Sequence, residues 1–207
     1  ELYFLSESKG NLDCYNFYNT DLTISVTKKG GIVTYMLYSR FADESTLTHE
    51  EAIEKAKFFL NQRGYKNIKE CYYAVTDGIM TINFAFYENN ITYYTDLIKV
   101  SIALDNGEIT AFDSTGYIMN HTKRNDVGKE KYTIDEAKKL LNTSLKVKSS
   151  KEVYIPTDFG TEIFAYEYHC VAPDEKEILV YINPETGVEE EILILLYSDN
   201  GVLTDRK

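Results

Sequence analysis

Apolar and polar residues alternate at a period of two in three stretches of the chain, and each stretch runs into a glycine and resumes beyond it. Ile24 and Val26 precede Gly31, Val100 and Ile102 precede Gly107, and Val180 and Ile182 precede Gly187. Five residues past each glycine stand Met36, Phe112 and Ile192. Two period-2 strands around Thr27-Lys28-Lys29-Gly30, Leu104-Asp105-Asn106-Gly107 or Pro184-Glu185-Thr186-Gly187 predict a β-hairpin in each case, with glycine supplying the positive φ of the turn. The glycines lie 76 and 80 residues apart, so the repeating unit is much larger than its hairpin.

The rest of that unit begins with a helix. Thr48-His49-Glu50-Glu51 and Thr133-Ile134-Asp135-Glu136 are both capping boxes, in which a Thr side chain and a Glu three residues on satisfy orphan backbone donors. Behind the first, Ala52, Ile53, Ala56, Phe59 and Leu60 recur at helical spacing; behind the second, Ala137, Leu140 and Leu141 do. Each predicted helix therefore has one side to bury. Between helix and hairpin lie strands over Cys71–Thr76 and Ile79–Tyr87 in one unit, joined by Asp77-Gly78, and over Glu152–Ile155 and Glu162–Cys170 in the next.

The predicted fold class is α+β, built of tandem units that each place one helix on a curved antiparallel four-stranded sheet. Residues 1–45 hold only the last strands of a first unit, because its helix would start about 59 residues before Gly31, ahead of residue 1. The second unit spans 46–121 and the third 122–207. Polar segments Ala42–Leu47 and Thr122–Lys131 join them, and Asp199-Asn200-Gly201 predicts a closing hairpin turn.

Composition supports strands and excludes an all-helical chain, since 18 Tyr and 10 Phe without Trp suit half-buried pleated surfaces. A net charge of -11 argues against a nucleic-acid partner. Lys146, Lys148 and Lys151 are the nearest thing to a basic patch, and without interleaved aromatics they read as a solvated loop. Cys14, Cys71 and Cys170 are far apart and contain no CxxC, so they suggest neither a disulfide framework nor a zinc site. No apolar run approaches the ~18 residues of a membrane span, and the N-terminus lacks a signal peptide pattern.

Candidate chemistry is sparse. His49 falls in a helix's first turn and reads as exposed, and His121 follows an expected strand over Tyr117–Asn120 at a surface turn. His169 is adjacent to Cys170, which strand geometry turns to the opposite face. There is no GxSxG, HExxH or phosphate-cradling glycine loop. Glu189-Glu190-Glu191 and Asp174-Glu175 could supply paired carboxylates but read as solvated charge. Tyr72-Tyr73, Tyr93-Tyr94 and the Tyr166/Tyr168 pair either fill core space or form an aromatic surface for a protein or glycan. No catalytic, cofactor-binding or metal-binding residue is assigned, and the partner-binding surface is left open.

One helix followed by antiparallel strands that close in a φ-x-φ-D/N-x-x-G hairpin resembles the PepSY domain. The order and spacing of such units resemble the C-terminal region of the YpeB family of spore germination proteins. The likeness is carried by Tyr94-Thr95-Asp96-Leu97-Ile98-Lys99-Val100 and Ala103-Leu104-Asp105-Asn106-Gly107-Glu108-Ile109, then by Gly116-Tyr117 and Asn120-His121. Thr27–Gly31, Tyr166-Glu167-Tyr168 and Tyr181-Ile182-Asn183 add to it.

The resemblance implies a non-catalytic protein of the spore envelope, at the outer face of the spore inner membrane, held by a membrane anchor upstream of this fragment. It implies a protein partner, the cortex-lytic enzyme SleB, which such a protein stabilises or restrains so that the cortex is hydrolysed in germination. No cofactor belongs to that pattern. The alternatives are a module that binds peptidoglycan or peptide, or a peptidase-inhibitor-like domain.

Overall fold

A computed structural model describes residues 1–124, 130–198 and 200–206. The chain forms two compact units, Glu1–Phe86 with Asp96–His121, and Tyr87–Thr95 with Thr122–Lys207. The structure is mostly sheet with few helices, an α+β fold.

The first unit opens with β1 (Tyr3–Ser8), β2 (Cys14–Tyr18), β3 (Leu22–Thr27) and β4 (Val33–Tyr38). Helix α1 (His49–Gln62) follows, then β5 (Ile68–Thr76), β6 (Ile79–Glu88), β7 (Ile91–Ala103), β8 (Ile109–Asp113) and α2 (Thr115–Asn120). The strands lie in the order β1-β2-β3-β4-β8-β7-β6-β5. Antiparallel pairing of β4 with β8, Met36 opposite Phe112, joins the first hairpin to the strands under the helix.

Thr48 caps α1 as expected: its side chain accepts from the Glu51 amide, and the Glu51 carboxylate accepts from the Thr48 amide. Ala52, Ala56 and Leu60 form the buried stripe of the helix. They pack with Met80, Ile82, Phe84, Ile98, Val100, Ile102 and Phe112 in one core, and Ile53 and Phe59 border it. Fully burying a side chain of that kind contributes about 1.5–3 kcal/mol, so most of the helix's stability comes from this face.

The second unit contains a four-residue helix α3 (Ile134–Ala137), a 3-10 turn over Lys138–Leu140, β9 (Lys146–Pro156), β10 (Glu162–Val171), β11 (Glu177–Ile182), β12 (Glu189–Ser198) and β13 (Gly201–Arg206). Its strands run β13-β12-β11-β10-β9. The first residues of β7 add a parallel pairing, Ile91–Tyr93 against Glu152–Tyr154. In the closing hairpin Ser198 pairs with Gly201; Asp199, expected in that turn, lies outside the described residues, as do 125–129 of the expected linker.

The Thr133 capping box forms, but the helix behind it is far shorter than its apolar spacing predicts. Ala137 and Leu141 are buried while Leu140 is half exposed, so no second turn has a face to bury. Asn142 then competes for the backbone: its side chain accepts from the Ser144 amide and its carbonyl from the Leu145 amide. The expected strand over Tyr117–Asn120 is instead helix α2. The Asp113 carboxylate accepts from the Thr115 amide and turns the chain, and the Ile118 amide donates to the Ser114 carbonyl.

All three hairpins carry a β-bulge at the same offset from their glycines, at Ser25/Val26, Ser101/Ile102 and Tyr181/Ile182. Two of them also anchor the segment that enters a helix. The amides of Thr46 and Leu47 both donate to the Leu104 carbonyl, and those of Lys131 and Tyr132 both donate to the Pro184 carbonyl. Both carbonyls lie three residues before a hairpin glycine, so each turn is fastened to the residues just ahead of a capping box.

Candidate functional site

The second unit holds a dense polar constellation. Strand β10 is buried along most of its length, and among its residues Glu167 is a carboxylate only 4% exposed. Oε2 of Glu167 accepts from the hydroxyls of Tyr94 and Tyr181, both at 2.9 Å, and Oε1 stands 3.0 Å from Lys151 Nζ. Lys151 Nζ also donates to the Tyr94 hydroxyl at 2.9 Å. A buried charge persists only where it is paired and hydrogen-bonded, and this one is held from three sides.

At the start of β10, Glu162 accepts from Arg124 through Nε at 2.6 Å and Nη2 at 2.8 Å, and from Thr95 Oγ1 at 2.5 Å. The Arg124 guanidinium lies 4.6 Å from the centre of the Tyr93 ring, which stacks on Tyr154 at 5.1 Å and 6°. Burial raises the Glu162 carboxyl, and the hydrogen bonds from Arg124 and Thr95 outweigh it, leaving the pKa lowered.

A third cluster centres on Glu177. Its carboxylate receives Lys148 Nζ at 2.5 Å and the Tyr197 hydroxyl at 2.8 Å, with His169 Nε2 at 2.5 Å. Led by the Lys148 hydrogen bond, these contacts pull it down to about 2, whereas burial and then the Glu177 carboxylate push Tyr197 up to about 12. Lys146, Lys148 and Lys151 thus lie on β9, and the latter two serve carboxylates of their own unit.

In the first unit, His121 Nδ1 is 2.7 Å from Oδ2 of the buried Asp96. Its ring stacks on Tyr117 at 4.3 Å and meets Phe86 edge-on at 4.5 Å. His49, expected in solvent, is half-buried with Nδ1 3.2 Å from the Tyr73 hydroxyl. That contact joins the first turn of α1 to β5.

The tyrosine pairs divide between core and partial burial. Tyr93, Tyr166 and Tyr168 are buried, and Tyr72, Tyr73 and Tyr94 are half-buried. Tyr166 donates to the Tyr132 carbonyl at 3.1 Å and Tyr168 to the Ile134 carbonyl at 2.6 Å, fixing β10 to the residues that enter and begin α3. Burial, reinforced by Glu130 and Glu152, pushes Tyr166 up to about 12, and burial also pushes Tyr168 up. Glu189 and Glu190 are exposed and Glu191 is half-buried; Glu190 accepts from the Asn183 side chain at 2.9 Å, and Asp174 pairs with Lys176.

Among the described residues no group of three His, Cys, Asp or Glu side chains could hold a metal ion, and no helix is long and apolar enough to cross a membrane. The carboxylates at the centre of these clusters accept from tyrosines or cations of the same unit, an arrangement that orients strands and keeps charges satisfied. Exposed apolar side chains gather on β1, at Tyr3, Phe4 and Leu5, and at Phe58 on α1. Sequence reasoning passed over Glu167, although Tyr166-Glu167-Tyr168 on one strand turns the carboxylate away from the face of its two tyrosines.

A family model described as YpeB sporulation, PepSY1 and PepSY2 domains matches residues 6–127. The sporulation protein YpeB of Halalkalibacterium halodurans is 32% identical over 194 residues, which cover 91% of this chain and 43% of that protein. YpeB of Oceanobacillus iheyensis is 30% identical over 162 residues, 78% of this chain and 36% of its own. YpeB of Bacillus subtilis is 27% identical over 197 residues, with coverage of 90% and 43%. The chain thus spans about two fifths of the length of these curated relatives. Among solved structures, the Bacillus megaterium YpeB C-terminal domain superposes with a TM-score of 0.81 at 22% identity, covering 95% of this chain and 90% of that one, and so shares the fold.

Proposed function

The chain belongs to the YpeB sporulation family, and from that premise we propose that it is a non-catalytic binding module, which holds the cortex-lytic enzyme SleB and stabilises or restrains it so that the cortex is hydrolysed in germination. The observation that carries this reading is the family match over residues 6–127. Supporting it, the buried carboxylates of Glu167 and Asp96 and the half-buried one of Glu162 are engaged with partners inside their own units. Groups so engaged build scaffolds, and an exposed edge strand such as β1 is a surface through which a sheet protein can meet other proteins.

In this reading the chain is a series of PepSY-type units, with residues 1–45 closing a first, 46–121 a second and 122–207 a third. It acts in the spore envelope at the outer face of the inner membrane. The common bulge offset and the twin amide clasps at Leu104 and Pro184 support the series. Calorimetric titration of the chain with purified SleB tests the proposal: saturable binding is expected, and its absence overturns it. Retention on insoluble cortex without the hydrolase would favour peptidoglycan contact instead, and turnover of cortex muropeptides would make the chain an enzyme.

A further inference from the structure

We infer that the outer flank of α1 around Phe58 is a docking surface for an acidic protein segment that carries an apolar side chain. Phe58 is 65% exposed on α1. Single exposed apolar residues are common on proteins and need no explanation, but this one forms the wall between two grooves. On one side a groove of about 510 Å³ runs between Phe58, Phe59, Arg63 and the hairpin at Gly107 and Ile109. On the other a groove of about 550 Å³ runs between Phe58, Lys57, Lys66 and Ile68. An aromatic ridge between two clefts can take a side chain from a partner on either flank, which is the geometry of a buried anchor point at an interface.

Charge selects the occupant. From Glu54 to Glu70 the chain carries Lys55, Lys57, Arg63, Lys66 and Lys69 against those two glutamates, a local excess of three positive charges in a chain whose net charge is -11. Of the neighbouring carboxylates, Glu54, which lines both grooves, and Glu70 pair with Lys57 at 3.1 Å, and Asp105 and Glu108 pair with Arg40. The Arg63 guanidinium lies over the Phe59 ring, 3.5 Å from its centre, and lines the first groove. Lys55 and Lys66 are exposed at opposite flanks. A segment with carboxylates on both sides of an apolar residue matches this sequence of charge, aromatic ridge and charge, whereas a basic or purely polar segment does not.

This inference rests on the reading of the chain as a binding module, but its test omits the hydrolase, so the two fail separately. A library of random twelve-residue peptides on phage would be selected against the full chain. Enriched peptides are then synthesised and titrated against the chain and against Phe58→Ala and Lys55→Glu/Lys66→Glu. These changes sit on the exposed helix flank, and circular dichroism checks that both variants fold. Enriched sequences are expected to carry Asp or Glu flanking a Leu, Ile, Phe or Tyr, to bind at least tenfold more weakly to each variant, and to weaken as salt rises. Enrichment without an acidic bias, equal binding to either folded variant, or no enrichment at all would overturn the surface.

Discussion

Arg124 grips Glu162 with both ends of its fork, Nε on Oε1 at 2.6 Å and Nη2 on Oε2 at 2.8 Å, while its guanidinium face lies over Tyr93. The Arg124 side chain is only 10% exposed and that of Glu162 25%. A planar two-point pair of this kind gives orientation as well as energy, and lysine could not reproduce it.

Glu162→Gln removes the charge and one acceptor while leaving the guanidinium in place. The variant is expected to lose about 1–3 kcal/mol in urea unfolding at neutral pH. Because the folded carboxyl titrates below its unfolded value, the wild-type advantage is present above the unfolded pKa and fades as pH falls through the folded one. Unfolding curves for the two proteins that stayed equally far apart from pH 7 to pH 2 would contradict this account.

Glu177 should titrate at about 2 by carboxyl NMR, pulled down chiefly by Lys148 and Tyr197. Lys148→Ala removes the largest cause, so the midpoint is expected to climb toward 4.5. The stability this carboxylate contributes is present above 4.5 and disappears between 4.5 and about 2, and the variant should show less of that acid loss.

Tyr168→Phe deletes a hydroxyl that donates to the Ile134 carbonyl, which also accepts from the Lys138 amide. Since the carbonyl keeps a partner, the expected cost is near the ordinary net value of a hydrogen bond, about 0.5–1.5 kcal/mol. In spectrophotometric titration, Tyr166 should ionise at about 12 and Tyr168 should remain neutral longer than a free tyrosine. Loss of the whole second unit's cooperativity in the variant would mean that the hydroxyl does more than bridge β10 and α3.

Gly31, Gly107 and Gly187 share a positive φ, at 64°, 79° and 74°, so alanine at any of them incurs about 1–2 kcal/mol of backbone strain. Their surroundings differ. A Cβ at Gly31 meets nothing within 4 Å, one at Gly107 meets Lys55 Cδ at 2.7 Å and Leu47 Cδ2 at 3.2 Å, and one at Gly187 meets the Tyr132 ring at 3.0 Å. Gly31→Ala should therefore be the mildest of the three in thermal unfolding, and Gly187→Ala should exceed Gly107→Ala because the Tyr132 ring cannot swing aside as the end of Lys55 can.

The hairpins and both capping boxes were legible in the sequence, because each depends on residues only a few positions apart: Thr48 with Glu51, Thr133 with Glu136, alternating apolar residues with a glycine. What could not be read was decided by local side-chain contacts that compete with propensity, or by partners far along the chain. Leu140 has the spacing of a buried residue, yet it stands half exposed because the turn stops at Asn142. Tyr117-Ile118-Met119 reads as strand by propensity, and the Asp113 side chain winds it into a helix. Glu167 looks like a surface charge until Tyr94, Lys151 and Tyr181, from three other strands, close around it.

Cys170 is fully enclosed in β10, and burial raises its thiol above the ordinary value. The reactive thiolate is thereby scarce and shielded, so an alkylating reagent reaches the sulfur only when the strand opens. The side chain is a built-in stopwatch: its labelling rate in a long-stored sample would count how often the second unit breathes, with no dye or mutation needed.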